Sequence, residues 1–407
     1  MINNKKLLIR SSKTTLSFSN PGKLSQLHDY INEYKRVVQL FVDILWDQPK
    51  VSKLINKDIT SKISSWLSQR SIQCAAKQAS SIVRGTKTKH NRRMYTLTKL
   101  MREGKNAKHL QRKISKTKLT KPNLDNLCPE LDDRFITILN LDNSFDLWIK
   151  LSSLGNNIIL SIPLRKTKHF NSLIDQGYEL KKGVRLSYND IMFNFSKSQP
   201  SIKSTGSTLG IDIGIKNTWF SSNGLSSQPD NHGHTLDSIQ KILSKRRKGS
   251  NGFERTSQQR SNYINWSIKQ LNLSGVRQIN IENIKDLRRH KRSSRYLSHW
   301  TYTEIKDKLE RLCKEQGVLV NKVDPVYSSQ RCSSCGWTRK ANRKGKLFRC
   351  DRCDYATDAD LNGSRNISLP LADLGERRLS EANRTGFYWH EVVQEPIVPE
   401  VQKSKFL

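Results

Sequence analysis

The sequence predicts a multidomain α+β protein, and three features carry that prediction. Apolar residues recur at helical spacing through roughly the first eighty positions. Short apolar segments broken by turn residues fill about 135–195. From 209 onward, strand and helix patterns alternate around a clip of four cysteines. A chain of 407 residues has room for two or three cores, although 35% hydrophobic content is low for that length.

Charge narrows the class of partner. Lys and Arg number 72 against 36 Asp and Glu, a formal +36, and the pI is near 10.1. Such self-repulsion favours a polyanion, nucleic acid above an anionic membrane, over a merely soluble basic protein. The seven cysteines are an odd number, and "MINNKKLLIRSSKTTLSFSN" holds no secretory leader, which points to a reducing compartment. No stretch approaches the ~18 apolar residues of a membrane span. The expectation is a cytoplasmic protein with no membrane partner.

After a short strand-like opening, Leu24, Leu27, Ile31, Tyr34, Val38, Phe41 and Leu45 form one stripe of a helix that Pro49 stops. A second helix is expected from about Ile59 to Val83, with Gly85 as its cap. From Arg84 to Lys121 there are fourteen Lys or Arg and one acid, Glu103, a bias that reads as a phosphate-facing surface rather than a solvated helix face. The segments "RFITILNLD", "FDLWIKLSS", "NNIILSIPL", "GVRLSY" and "DIMFNF" suggest a small β-barrel or sandwich. The Ser-rich residues 196–208 read as a linker.

Three acids follow. Asp212 lies inside the apolar strand "TLGIDIGI", and Glu282 ends a second one, "VRQINIE". Asp360 opens the helical segment "DADLNGSRNI". A lone Asp in such a place is often a cap or turn residue, but the repetition is not explained that way. The order is strand, strand, helical insert, strand, helix, strand, clip, helix, an RNase H-like pattern. Three carboxylates so delivered can hold two divalent cations about 4 Å apart, the spacing for phosphodiester hydrolysis, with Mg²⁺ the expected ion and Mn²⁺ its alternative.

Cys332-x2-Cys335, fourteen residues, then Cys350-x2-Cys353 has the spacing of a zinc ribbon with four thiolates. Redox and iron–sulfur readings lack their accompanying motifs. With four protein ligands a single Zn²⁺ is expected to be structural, and the basic stretch "TRKANRKGKLFR" between the pairs reads as a candidate nucleic-acid edge.

Together "GIDIGIKN", "INIENIKDL", "HWTYTEIKDKL", "YSSQRCSSCG", "FRCDRCDY" and "DADLNGSRNI" resemble the TnpB family of transposon-encoded RNA-guided DNA nucleases and the related miniature type V CRISPR effectors. The likeness is specific from about Gly210 to Ile367 and looser before it. It implies a helical recognition lobe at 24–124 and a small β-barrel wedge domain in two parts, 1–23 and 125–200. It further implies a RuvC-like α/β nuclease domain, 201–327 and 358–371, with the zinc ribbon inserted at 328–357; residues 372–407 match nothing in the family and read as a flexible tail. By that resemblance Asp212, Glu282 and Asp360 are the catalytic, Mg²⁺-binding triad, and guide RNA and target double-stranded DNA are the partners of a prokaryotic, nucleoid-associated protein, a monomer being favoured over a dimer without the sequence deciding it. A short motif beside the target is then required, while guide pairing carries sequence specificity. Arg84, Arg92, Arg93, Arg246, Arg247, Lys248, Arg288 and Arg289 are the candidate phosphate contacts. Asp354 stands where the family often has Gly, and Gly363-Ser364 replace paired alanines. The alternatives are a cleavage-inactive RNA-guided repressor, a miniature CRISPR effector nuclease and a DNA-joining transposase.

Overall fold

The computed structural model describes residues 6–116, 119–139, 141, 143–284, 295–298, 301–371 and 382–391. The chain divides into two units, Met1–Ser198 and Gln199–Leu407, close to the linker read from the sequence. No helix among the described residues is long and apolar enough to cross a membrane.

The first unit opens with β1 (Leu7–Thr15) and α1 (Pro21–Trp46). The helix starts on Pro21, whose fixed φ suits the first turn, and buries Leu27, Ile31, Tyr34, Val38, Phe41 and Leu45 as the spacing predicts. A single turn, α2 (Lys57–Thr60), precedes α3 (Gln69–Arg102), which Ser68 caps by accepting from the Ser71 amide at 3.1 Å. Here the sequence reading is corrected. One helix runs through Gly85 to Arg102, and Gly85 is interior, because a lone Gly in a helix costs only about 1 kcal/mol and many flanking positions favour helix. Its buried residues all lie at or before Val83; beyond that α3 is a basic, mostly solvated rod, as is α4 (Lys108–Lys116), which buries nothing.

The strands are β2 (Glu130–Leu131), β3 (Ile136–Leu139), β4 (Leu147–Leu151) and β5 (Leu160–Leu164), then α5 (Lys168–Asp175), β6 (Glu179–Leu186) and β7 (Asp190–Ser198). They do not close into the expected barrel. One sheet has the order β1-β7-β6-β2 and a second the order β3-β4-β5. Closure needs edge strands long enough to pair, and β2 offers two residues. Phe170 of α5 packs on the first sheet instead, its ring 5.6 Å from Phe193 and 4.9 Å from Phe195.

The second unit begins with β8 (Ser207–Asp212) and β9 (Phe220–Ser221), then α6 (Leu236–Lys245) and α7 (Asn251–Lys269). β10 (Val276–Glu282), α8 (Arg295–Ser298), α9 (Tyr302–Gln316) and β11 (Leu319–Val323) follow. The sheet order is β11-β10-β8-β9, parallel except for β9. Parallel neighbours need crossovers, supplied between β8 and β10 by the stretch containing α6 and α7, and between β10 and β11 by the stretch containing α9. Ile211, Ile279 and Ile281 are fully buried with Ile305, Leu309 and Cys313 of α9, and Gly317 caps α9 at φ +65°.

Around the clip lie β12 (Trp337–Thr338), a 3₁₀ turn (Lys340–Asn342), β13 (Arg343–Lys344), β14 (Leu347–Arg349) and β15 (Ala356–Asp358). Next come α10 (Ala359–Ser368), α11 (Ala382–Thr385) and β16 (Phe387–Tyr388). Asp354 takes φ +57°, the left-handed conformation that explains why glycine suits this place. Of the tail expected to be flexible, 372–381 and 392–407 lie outside the described residues, and the described part, 382–391, packs on the clip. β16 pairs antiparallel with β12, and Trp389 is buried, because an aromatic strand finds an apolar partner in Trp337.

Candidate functional site

Asp212 and Glu282 come from adjacent parallel strands. Ile211 of β8 is in register with Ile281 of β10, so the next residue on each strand, Asp212 and Glu282, emerges at the same carboxyl end of the sheet. Ligand crevices in open α/β sheets form at such ends. Asp360 arrives from α10, whose first turn is held by Asp358: its carboxylate accepts from the amides of Asp360 at 2.8 Å and Leu361 at 3.3 Å. Gly210 lets α10 lie directly on β8. A Cβ there would run into the Ser364 carbonyl oxygen and lie 2.6 Å from the Ser368 nitrogen.

The result is one cavity of 410 Å³ lined by all three acids together with Ser328, Arg343 and Lys346. Burial, with repulsion from Glu282 and Asp360, pushes the Asp212 carboxyl up to about 7. Burial also raises Glu282, against a hydrogen bond from Ser328 Oγ at 2.5 Å. Arg343 and Lys346 lie 3.6 and 3.4 Å from the Asp360 carboxylate. An oxygen-only donor set of this kind has the chemistry that could hold a hard divalent cation. Ser328, Arg343 and Lys346 were not singled out from sequence. Arg343 and Lys346 lie in the basic stretch read as a nucleic-acid edge, whereas Ser328 lies in the quoted "YSSQRCSSCG" without a role assigned to it.

The cysteines make a separate centre. Their sulfurs all lie within 4.8 Å of one another, with Cys332 to Cys353 and Cys335 to Cys350 each 3.7 Å. Tetrahedral sulfurs at the Zn–S distance of about 2.3 Å stand about 3.8 Å apart, which both of these pairs match, so the set could hold zinc. Among the described residues no other group of three or more His, Cys, Asp or Glu is so compact.

The basic candidates divide. Arg84, Arg92 and Arg93 line one groove along α3 with Ser81 and Lys89. Arg246, Arg247 and Lys248 occupy the turn between α6 and α7. Arg288 and Arg289 lie outside the described residues.

A family model described as "Cas12f1-like, TNB domain" matches residues 302–367, which cover α9, the clip and most of α10. Over 144 residues the chain is 37% identical to the CRISPR-associated endodeoxyribonuclease Cas12f1 of Sulfoacidibacillus thermotolerans, covering 35% of this chain and 33% of that protein. It is 33% identical over 92 residues to the TnpB-like protein aq_aa05 of Aquifex aeolicus (strain VF5), covering 21% of this chain and 30% of that one. The matched stretches thus span a third or less of these relatives' lengths. In fold, the chain is similar to the mini-RNA-guided endonuclease CRISPR-Cas_phi3, with TM-score 0.53 and 10% identity over 88% of this chain and 92% of that chain.

Proposed function

We propose that this chain, which resembles TnpB-like and miniature Cas12 proteins in sequence, is an RNA-guided DNA endonuclease with one RuvC-like site built from Asp212, Glu282 and Asp360. One observation carries the reading: the three acids, drawn from two parallel strands and a helix, line a single cavity in which burial, Glu282 and Asp360 together raise the Asp212 carboxyl. Nothing in a structural role calls for that arrangement, whereas a site for divalent cations does.

Asp212, Glu282 and Asp360 would hold Mg²⁺, in the two-ion arrangement by which such carboxylate sets serve phosphodiester hydrolysis. When bound, the ions supply activation of water and neutralisation of charge on the phosphodiester. The residues themselves do the rest. Ser328 orients the Glu282 carboxylate by its hydrogen bond. Arg343 and Lys346 are held beside Asp360 and draw a phosphate into a cavity that would otherwise repel it. The basic length of α3 and the turn after α6 supply backbone contacts, while base pairing with a guide RNA supplies the sequence reading. A short flanking motif would be read on the target duplex.

The experiment is plasmid cleavage by protein purified with its own RNA, wild type against Asp212→Ala. Guide-dependent cuts abolished in the variant support the reading. Guided binding without cuts by the wild type would make the protein a repressor, and guide-independent strand transfer would make it a transposase.

A further inference from the structure

Arg331 is a buried guanidinium, 4% exposed, one residue before the first zinc-ligand candidate. Burying that charge is costly unless its donors are met, and their partners lie far apart in sequence. Nε donates to the Trp389 carbonyl at 2.8 Å, and one terminal nitrogen donates to Asn366 Oδ1 at 2.8 Å. The other terminal nitrogen stands 3.9 Å from Glu391. The Arg331 carbonyl in turn accepts from Asn362 Nδ2 at 2.7 Å and Asn366 Nδ2 at 2.6 Å. One residue therefore ties the clip and α10, the helix that begins at Asp360, to the strand β16 region.

The same network reaches a second acid. Asn366 Nδ2 also donates to the Ser328 carbonyl at 2.8 Å, and Ser328 Oγ holds Glu282. The far end is anchored by backbone: the Trp389 amide donates to the Gly336 carbonyl at 3.0 Å, and Phe387 and Tyr388 pair with Thr338 and Trp337. Gly386, at φ +102°, lies against the Trp337 ring, where a Cβ would meet Cη2 at 2.6 Å. Only glycine lets the strand settle there.

We propose that residues 386–391 form a strap that, through Arg331, positions Asp360 and Glu282 for binding divalent cations. Arg331 is then a positioning residue: it is not among the residues lining the cavity and acts through Asn366 and Ser328. The proposal rests on the acid-site reading above, and it assigns a task to a segment after α10 that motif reading left without one.

The test is Mn²⁺ titration of the full-length protein without nucleic acid, followed by electron paramagnetic resonance, with zinc per chain measured alongside. Gly386→Val undocks the strap at a distance from the acids, and Arg331→Met removes the link. Each should weaken Mn²⁺ binding roughly tenfold, the scale of lost support around a metal site, while zinc stays at one per chain. Arg331→Lys should recover part of the loss. Asp212→Asn serves as the comparator. If it weakens Mn²⁺ binding while both strap variants bind like the parent, the strap is overturned and the acid site stands. If Asp212→Asn binds like the parent, the acid site fails and the strap with it. Zinc lost together with Mn²⁺ affinity in both strap variants also overturns the proposal, since the strap would then merely hold the clip.

Discussion

Gly210 of β8 and Ser364 of α10 meet backbone to backbone, with no room for a side chain at residue 210. The contact sets how closely the helix that begins at Asp360 approaches the strand that ends at Asp212. Gly210→Ala should therefore force α10 outward, lowering stability by roughly 1–3 kcal/mol as overpacking does and reducing cleavage beyond that loss. Gly363→Ala is the contrast. A Cβ there meets Asp212 Oδ2 at an ordinary 3.7 Å, so it should be tolerated and gain up to about 1 kcal/mol of helix propensity. Urea unfolding of both variants, with cleavage assayed under conditions where each is folded, checks the pair.

The acid cavity makes metal-free stability depend on pH. The folded Asp212 carboxyl is raised from 3.8 to about 7, so the folded state binds its proton more tightly than the unfolded chain does. The associated stability is fully present below about pH 4 and is lost as pH rises through 7, an effect on the order of 4 kcal/mol for a shift of this size. Divalent cations favour the ionised form and reverse the penalty. Calorimetry should find that Mg²⁺ raises Tm clearly at pH 8 and hardly at pH 5. Asp212→Asn should lose most of that difference.

What was legible in the sequence is what had a local pattern. Asp212 and Glu282 were visible because each interrupts an apolar strand, and the cysteines because their spacing is the ligand geometry. The α1 stripe was visible because its period repeats over about six turns, from Leu24 to Leu45. Closure of a sheet into a barrel depends on which edges pair, and no single strand states that; β2 proved too short to take part. Gly85 looked like a cap because glycine marks both ends and interiors of helices, and only the neighbouring turns decide. Arg331 was invisible because its partners, Asn366 and Trp389, lie 35 and 58 residues away. Gly210 was visible only as part of an apolar strand, since its contact is with a helix some 150 residues later.

The clip should behave as a folding element. Its hairpin strands are two or three residues long, and the cluster around Phe348 is small, too little to stand without an ion when apparent zinc binding supplies roughly 10–16 kcal/mol. Cys332→Ser, or exhaustive chelation, should expose residues 339–349 to limited proteolysis and abolish cleavage. Added Mg²⁺ should not restore activity, whereas Zn²⁺ should restore it to the chelated wild type.

On the proposed reading the basic face of α3 acts on phosphates and not on bases, so affinity for nucleic acid should be strongly salt-dependent. The eight cationic candidates, if all engaged on a duplex, give a slope of log affinity against log salt near −7. Arg84, Arg92 and Arg93 share one groove, so replacing all three by Gln should make the slope less steep by roughly 3, with similar losses on unrelated sequences. Filter binding across a salt series measures it. An unchanged slope in the triple variant would remove α3 from the interface, and a loss confined to one sequence would mean that these residues read bases rather than backbone.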